Sequence, residues 1–110
     1  MSGTLKELVN IKDFIGLEFG TFKIKEGALE SEMLAAAKTM EDKFLSKEPG
    51  FLGHSVLKND DGTYVDIAFS KSQKEAEIMC EKWLDNEFAC KYLEFIDPES
   101  VSMGFWSRIK

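Results

Sequence analysis

Apolar residues recur along this chain with two periods, and the switches between them delimit its elements. From Phe14 to Lys25, aromatic and β-branched residues mark a strand, with Ile15, Leu17 and Phe19 in one phase and Phe22 and Ile24 in the other, beyond Gly20. A bulge at Gly20 would keep both sets on one face. Between Leu29 and Ser46, the residues Met33, Ala37, Met40 and Phe44 recur at spacings of four, three and four, the inward stripe of an amphipathic helix, which Pro49 and Gly50 end. Phe51 to Lys58 and Thr63 to Ser70 read as two strands joined by Asn59-Asp60-Asp61-Gly62. In a three-residue hairpin loop, Gly supplies the left-handed residue that follows a type I turn, while Asn and Asp brace the turn with side-chain hydrogen bonds. Asn59 is therefore predicted to pair with Thr63.

Ser72-Gln73-Lys74-Glu75 is a capping box that opens a second helix with Ala76, Met79, Cys80 and Trp83 on its apolar face. Phe88, Tyr92 and Leu93 continue a helical pattern after a bend near Asp85 and Asn86, and Asp97-Pro98-Glu99 breaks the chain. A last strand from Val101 to Ile109 sets Val101, Met103, Phe105, Ser107 and Ile109 against Ser102, Gly104, Trp106 and Arg108. Thr4-Leu5-Lys6-Glu7 fits another capping box and predicts a short helical extension from Leu5 to about Asn10. The expected organisation is an N-terminal extension over 1–13 and one domain over 14–110. Its order, βαββαβ, predicts an α+β, ferredoxin-like sandwich with a four-stranded antiparallel sheet.

Composition narrows the partners. A chain of 110 residues with 44% hydrophobic content builds one core. A net charge of -6 opposes binding to nucleic acid or to an anionic membrane, both of which reward clustered Lys and Arg. The first residues hold no apolar signal core, and no run approaches the roughly 20 apolar residues of a membrane span, so a cytoplasmic location is expected. Cys80 and Cys90 lack CxxC spacing and are read as thiols that pack.

The hairpin register puts Phe51, Gly53, Ser55 and Leu57 on one face with Val65, Ile67 and Phe69, the more apolar set, which is expected to lie under the helices. Gly53 and Ser55 leave space there. The expected cavity is lined by Met33, Ala37, Met40, Phe51, Gly53, Ser55, Ile67, Phe69, Met79, Trp83, Met103 and Phe105, an inward set without charge that suits an apolar small molecule. The opposite face would carry Leu52, His54, Val56, Tyr64, Asp66, Ala68, Trp106 and Arg108, with Glu18. No further layer remains to cover it, so a homodimer closed through that face is expected. Leu52, His54, Val56, Tyr64, Asp66, Trp106 and Arg108 are its predicted interface.

The segments Gly20-Thr21-Phe22-Lys23-Ile24, Pro49-Gly50-Phe51-Leu52, Asp61-Gly62-Thr63-Tyr64-Val65-Asp66-Ile67, Glu75-Ala76-Glu77 and Ile96-Asp97-Pro98-Glu99-Ser100-Val101 resemble the dimeric α/β-barrel superfamily, and within it the antibiotic-biosynthesis-monooxygenase-like group. The resemblance spans roughly Leu17 to Ile109. It implies two sheets facing each other in a homodimeric barrel. It also implies a group in which some members oxygenate polycyclic phenols with molecular oxygen and no cofactor, some degrade haem, and many have no known reaction. The chain departs from the group where the third strand meets its helix: a Trp is frequent there, and this chain reads Phe69-Ser70-Lys71-Ser72. Haem is disfavoured, since its axial ligand is a helix-borne His and the single imidazole here, His54, is in a strand. Trp83 and Asn86 match the quinone-forming members only loosely, and no catalytic residue is assigned.

From the residues themselves, His54 beside Asp66, with Tyr64 and Arg108 near, is enough for proton transfer, although a hydrogen-bond network at an interface explains the same set. One His and scattered carboxylates make a poor metal site, and GxGxxG, P-loop, HExxH and GxSxG motifs are absent. No cofactor is expected. Three readings stay open: a binding protein for an elongated or aromatic apolar compound such as a fatty-acyl or polyketide-like molecule, a cofactor-free monooxygenase acting on an aromatic or polyketide substrate, and a dimeric module without a ligand.

Overall fold

The computed structural model describes residues 12–110. The helical extension expected over Leu5 to Asn10 lies outside the described residues. Strands β1 (Gly16–Phe22), β2 (Phe51–Lys58), β3 (Tyr64–Ser70) and β4 (Ser102–Ser107) form one sheet in the order β2-β3-β1-β4. All its pairings are antiparallel. Helix α1 (Glu30–Lys43) crosses between β1 and β2, and α2 (Gln73–Glu81) with α3 (Glu87–Leu93) crosses between β3 and β4. This is the ferredoxin-like α+β arrangement that the element order predicts.

Local chemistry explains the boundaries. Ser72 caps α2, its hydroxyl accepting from the Glu75 amide at 3.1 Å. Asn86 caps α3 by accepting from the amides of Phe88 and Ala89, and so re-aims the chain after the bend over Trp83–Asp85. At the hairpin, the Asn59 amide donates to the Thr63 carbonyl at 3.0 Å, and Gly62 takes φ +88°. The predicted turn and register are present.

The expected bulge is elsewhere. β1 pairs with both neighbours in unbroken register through Gly20, while the irregularity falls in β2 between Phe51 and Gly53 and leaves Leu52 as the extra residue. The phase change that suggested a bulge in β1 is a change of polarity along an unbroken strand: Glu18 and Gly20 occupy the same inward row as Phe22.

The facing of β1, β2 and β3 is the reverse of the sequence reading, whereas β4 faces as expected, with Met103 and Phe105 inward and Trp106 outward. Along β3, Tyr64, Asp66, Ala68 and Ser70 are buried while Val65, Ile67 and Phe69 are only partly covered. Under the helices, Met33, Met40, Leu45, Ala89 and Tyr92 are wholly buried and pack with Phe22, Tyr64 and Met79. Phe22 stacks on Tyr64 with centroids 5.3 Å apart, and Tyr92 meets Phe22 edge-on at 6.3 Å. Among the described residues no helix covers the other side of the sheet. It presents Leu17, Phe19, Leu57, Val65, Ile67, Phe69 and Trp106, of which Trp106 is 61% exposed.

Candidate functional site

Reversing the faces moves the chemistry indoors. His54, on β2 opposite Ala68, lies beneath the helices with 3% of its side chain exposed. Its Nε2 bonds Asp66 Oδ2 at 2.8 Å, and its Nδ1 stands 3.8 Å from Glu41 Oε1 on α1. The Tyr92 hydroxyl of α3 donates to the same Asp66 oxygen at 2.7 Å. Glu18 of β1 completes the group. Its Oε2 and Asp66 Oδ1 are buried, and neither has a conventional donor among the described residues.

Two facing carboxyl groups satisfy each other only with a proton between them, and the electrostatics place that proton on Glu18. Burial, then the Asp66 charge and hydrogen bond, push Glu18 up to about 10. Burial opposes ionisation of Asp66, yet the His54 charge and the hydrogen bonds from His54, Tyr92 and Glu18 outweigh it and hold Asp66 below its ordinary range. For His54, burial opposes the imidazolium, but Asp66 and then Glu41 prevail and raise its pKa. The cluster thus favours a neutral Glu18, an Asp66 carboxylate and a His54 imidazolium. Burial also raises the Tyr92 phenol, with the Asp66 charge and hydrogen bond adding to it.

Beside this cluster a cavity of ≈ 250 Å³ opens between β1, β4 and the α2–α3 bend. Trp83, Leu84, Leu93, Ile96, Val101 and Met103 form its apolar wall, and Glu18, Asp66, Cys80 and Tyr92 reach it from the sheet and helices. Leu84, Val101 and Met103 are exposed large hydrophobics and make an apolar rim. The Cys80 thiol is pushed up to about 11, by burial first and then by the charges of Glu18, Asp66 and Glu81, so it stays protonated.

Of the residues predicted to line the cavity, Trp83 and Met103 do so. Met33, Ala37, Met40 and Met79 are buried in the adjoining core, and Phe51 packs against that core from the inward side. Phe105 pairs with Glu18 and shares the inward row. Gly53, Ser55, Ile67 and Phe69 lie on the open face, because they pair with one another on the side away from the helices. Of the predicted interface, Trp106 is on the open face, paired with Leu17. His54, Val56, Tyr64 and Asp66 are under the helices, where Tyr64 bonds Glu30 Oε1 at 2.7 Å. Leu52 sits in the β2 bulge, and Arg108 lies beyond β4, donating to the Lys12 carbonyl at 2.7 Å and resting on the Phe14 ring. Tyr92 and the inward role of Glu18 escaped the sequence reading. A lone Glu between Leu17 and Phe19 in an apolar strand was the available signal.

No protein-family model matches the sequence, and no curated protein matches it significantly. Solved structures do match in fold. SnoaB, a cofactor-independent oxygenase from Streptomyces nogalater, superposes with a TM-score of 0.69 at 15% identity over 88% of this chain and 95% of its own. A candidate antibiotic biosynthesis monooxygenase from Bordetella bronchiseptica gives 0.72 at 10% identity, over 88% and 99% of the two chains. A conserved protein from Methanosarcina mazei Go1 gives 0.62 at 10% identity, over 88% and 96%. The fold is that of the antibiotic-biosynthesis-monooxygenase-like proteins. At these identities the likeness concerns the backbone. Among the described residues no cluster of three His, Cys, Asp or Glu is placed to hold a metal ion, and no helix is long and apolar enough to cross a membrane.

Proposed function

We propose that this chain binds a neutral apolar compound of one or two rings in the cavity between sheet and helices, with a polar end set against Glu18 and Asp66. The observation that carries this reading is an apolar cavity whose polar groups are gathered at one place. Its ≈ 250 Å³ falls between the roughly 150 Å³ that holds a benzene and the roughly 300 Å³ at which drug-sized sites begin. That size favours a compact ring system over a long acyl chain. Uptake of naphthalene, followed by its fluorescence, tests the reading. Val101→Trp, which plugs the rim, should abolish uptake without altering the far-ultraviolet circular dichroism, and equal uptake by the folded variant would refute it.

A second reading, cofactor-free oxygenation of an aromatic or polyketide-like compound, is favoured by the position of His54, Asp66 and Glu18 on the cavity side. Such chemistry asks the protein to take a proton from a phenol and exclude water while the substrate supplies electrons to oxygen. The likeness to SnoaB supports it. Dihydroxynaphthalenes should consume oxygen faster with the protein than in buffer, and a rate equal to buffer would reject this reading alone.

The open sheet face supports a homodimer in which two such faces meet, burying at least about 1,000 Å² in total. Its contacts would be Leu17, Phe19, Ile67, Phe69 and Trp106. A cytoplasmic location belongs to the same reading, supported by the free thiols of Cys80 and Cys90.

A further inference from the structure

We propose that Glu18, Asp66, His54 and Glu41 form a proton path that carries the ionisable proton of a bound phenol or enol from the cavity to solvent. The path rests on the cavity-binding reading above. Its geometry runs from the cavity towards the surface: Glu18 and Asp66 reach the cavity, Asp66 Oδ2 is 2.8 Å from His54 Nε2, and Glu41 Oε1 stands 3.8 Å from His54 Nδ1, a gap that a small movement of the Glu41 side chain closes. Glu41 is by far the most exposed of the four, with 31% of its side chain accessible against 3% for His54 and 7% for Asp66. The otherwise unpartnered oxygens, Glu18 Oε2 and Asp66 Oδ1, are those between which a proton must pass.

The steps balance without any oxidation. The ligand O–H gives its proton to the Glu18 carboxyl as Glu18 hands its own to Asp66. The His54 imidazolium then releases its Nδ1 proton to Glu41, which passes it to water, and keeps Nε2–H on Asp66. Asp66 and His54 begin as an ion pair and end as two neutral groups while the ligand becomes an anion, so the interior gains one negative charge, and only an acidic phenol or enol meets that cost. Neutral Glu18 remains to hydrogen-bond the ligand oxyanion. The groups facing the path are accounted for: Asp66 from β3, Glu41 from α1 and the Tyr92 ring from α3 surround His54, and the Cys80 thiol of α2 borders the carboxyl pair.

His54 is the only histidine, so long-range ¹H–¹⁵N correlation spectra report its protonation without ambiguity. The experiment uses the whole chain at mildly acidic pH, where free 4-nitrophenol is neutral, with naphthalene as the ligand that has no proton to give. Naphthalene should bind and leave the imidazolium unchanged. 4-Nitrophenol should bind as its yellow anion, convert His54 to the neutral Nε2–H tautomer and release one proton per ligand to an indicator dye. His54→Gln, which can hydrogen-bond Asp66 but has no proton to lose, should bind naphthalene as the wild type does and release none with 4-nitrophenol. Should that variant not fold, Glu41→Gln at the surface should slow the release severalfold at equal affinity. An imidazolium that persists beside bound 4-nitrophenol, undiminished release in His54→Gln, or an unchanged rate in Glu41→Gln overturns the path while leaving the cavity reading intact. Failure of naphthalene to bind overturns the cavity reading, and the path with it.

Discussion

Glu18→Gln should make this protein more stable at neutral pH, although it alters a buried residue of the candidate site. Burial and Asp66 raise the Glu18 pKa from its ordinary 4.5 to about 10, so at pH 7 the unfolded chain carries an ionised Glu18 that must take up a proton to fold. The native state binds more protons than the unfolded state throughout that window. Stability therefore falls as pH rises from 4.5 towards about 10, and the contribution is fully favourable only below 4.5. About 2.5 pH units separate 4.5 from neutrality, each worth about 1.4 kcal/mol, which puts the cost near pH 7 at about 3.5 kcal/mol. Gln is neutral at every pH, and its amide N–H can still donate to Asp66, so it removes the cost and keeps the bond. Guanidinium unfolding of both proteins at several pH values measures the difference. The gain should be close to zero at about pH 4.5 and should grow by about 1.4 kcal/mol for each pH unit above it. A pH-independent difference, or a less stable variant at neutrality, would show that Glu18 is ionised in the folded protein.

Gly16→Ala should cost at least about 3 kcal/mol, since its Cβ would run into the backbone of Ser72 and Gln73 and no side chain can move aside; chemical denaturation measures it, and a loss under about 1 kcal/mol would contradict the close approach. Trp106→Asp, on the open face, should convert the proposed dimer to monomer in sedimentation equilibrium with little change in helix content, and an unchanged assembly would exclude that face. Ser72→Ala should lower stability by about 1 kcal/mol through loss of the α2 cap, a loss that Ser72→Asp should largely recover.

What the sequence made legible was local. Asn59-Asp60-Asp61-Gly62 defined the hairpin because its turn has a chemical signature, and Ser72 to Glu75 defined a helix start for the same reason. The stripe of Met33, Ala37, Met40 and Phe44 placed α1. The facing of the sheet was illegible because it depends on groups far apart in the chain. Alternation ranks Val65, Ile67 and Phe69 above Tyr64, Asp66 and Ala68 as core formers, and hydrophobicity alone buries the first set. The native fold buries the second because His54, Tyr92 and Glu18 arrive from β2, α3 and β1 to satisfy Asp66, a compensation no single strand displays. The bulge was misplaced for a related reason. The inward row of β1 runs through Glu18 and Gly20 and turns apolar only at Phe22, so an unbroken strand looked like one that changes phase at Gly20.

The bond from Tyr92 to Asp66 bears on how uniquely this core is defined. Met33, Met40 and Met79 are unbranched and pliable, and contacts among them change little if a helix slides or rotates by a fraction of a turn. A hydroxyl aimed at a buried carboxylate tolerates no such drift, because a small slip leaves both atoms without partners in a dry interior. Asp66 thus pins α3 to the middle of the sheet as a dowel aligns two smooth plates. The packed side chains supply the cohesion, and the dowel supplies the single alignment in which the cavity has a fixed shape.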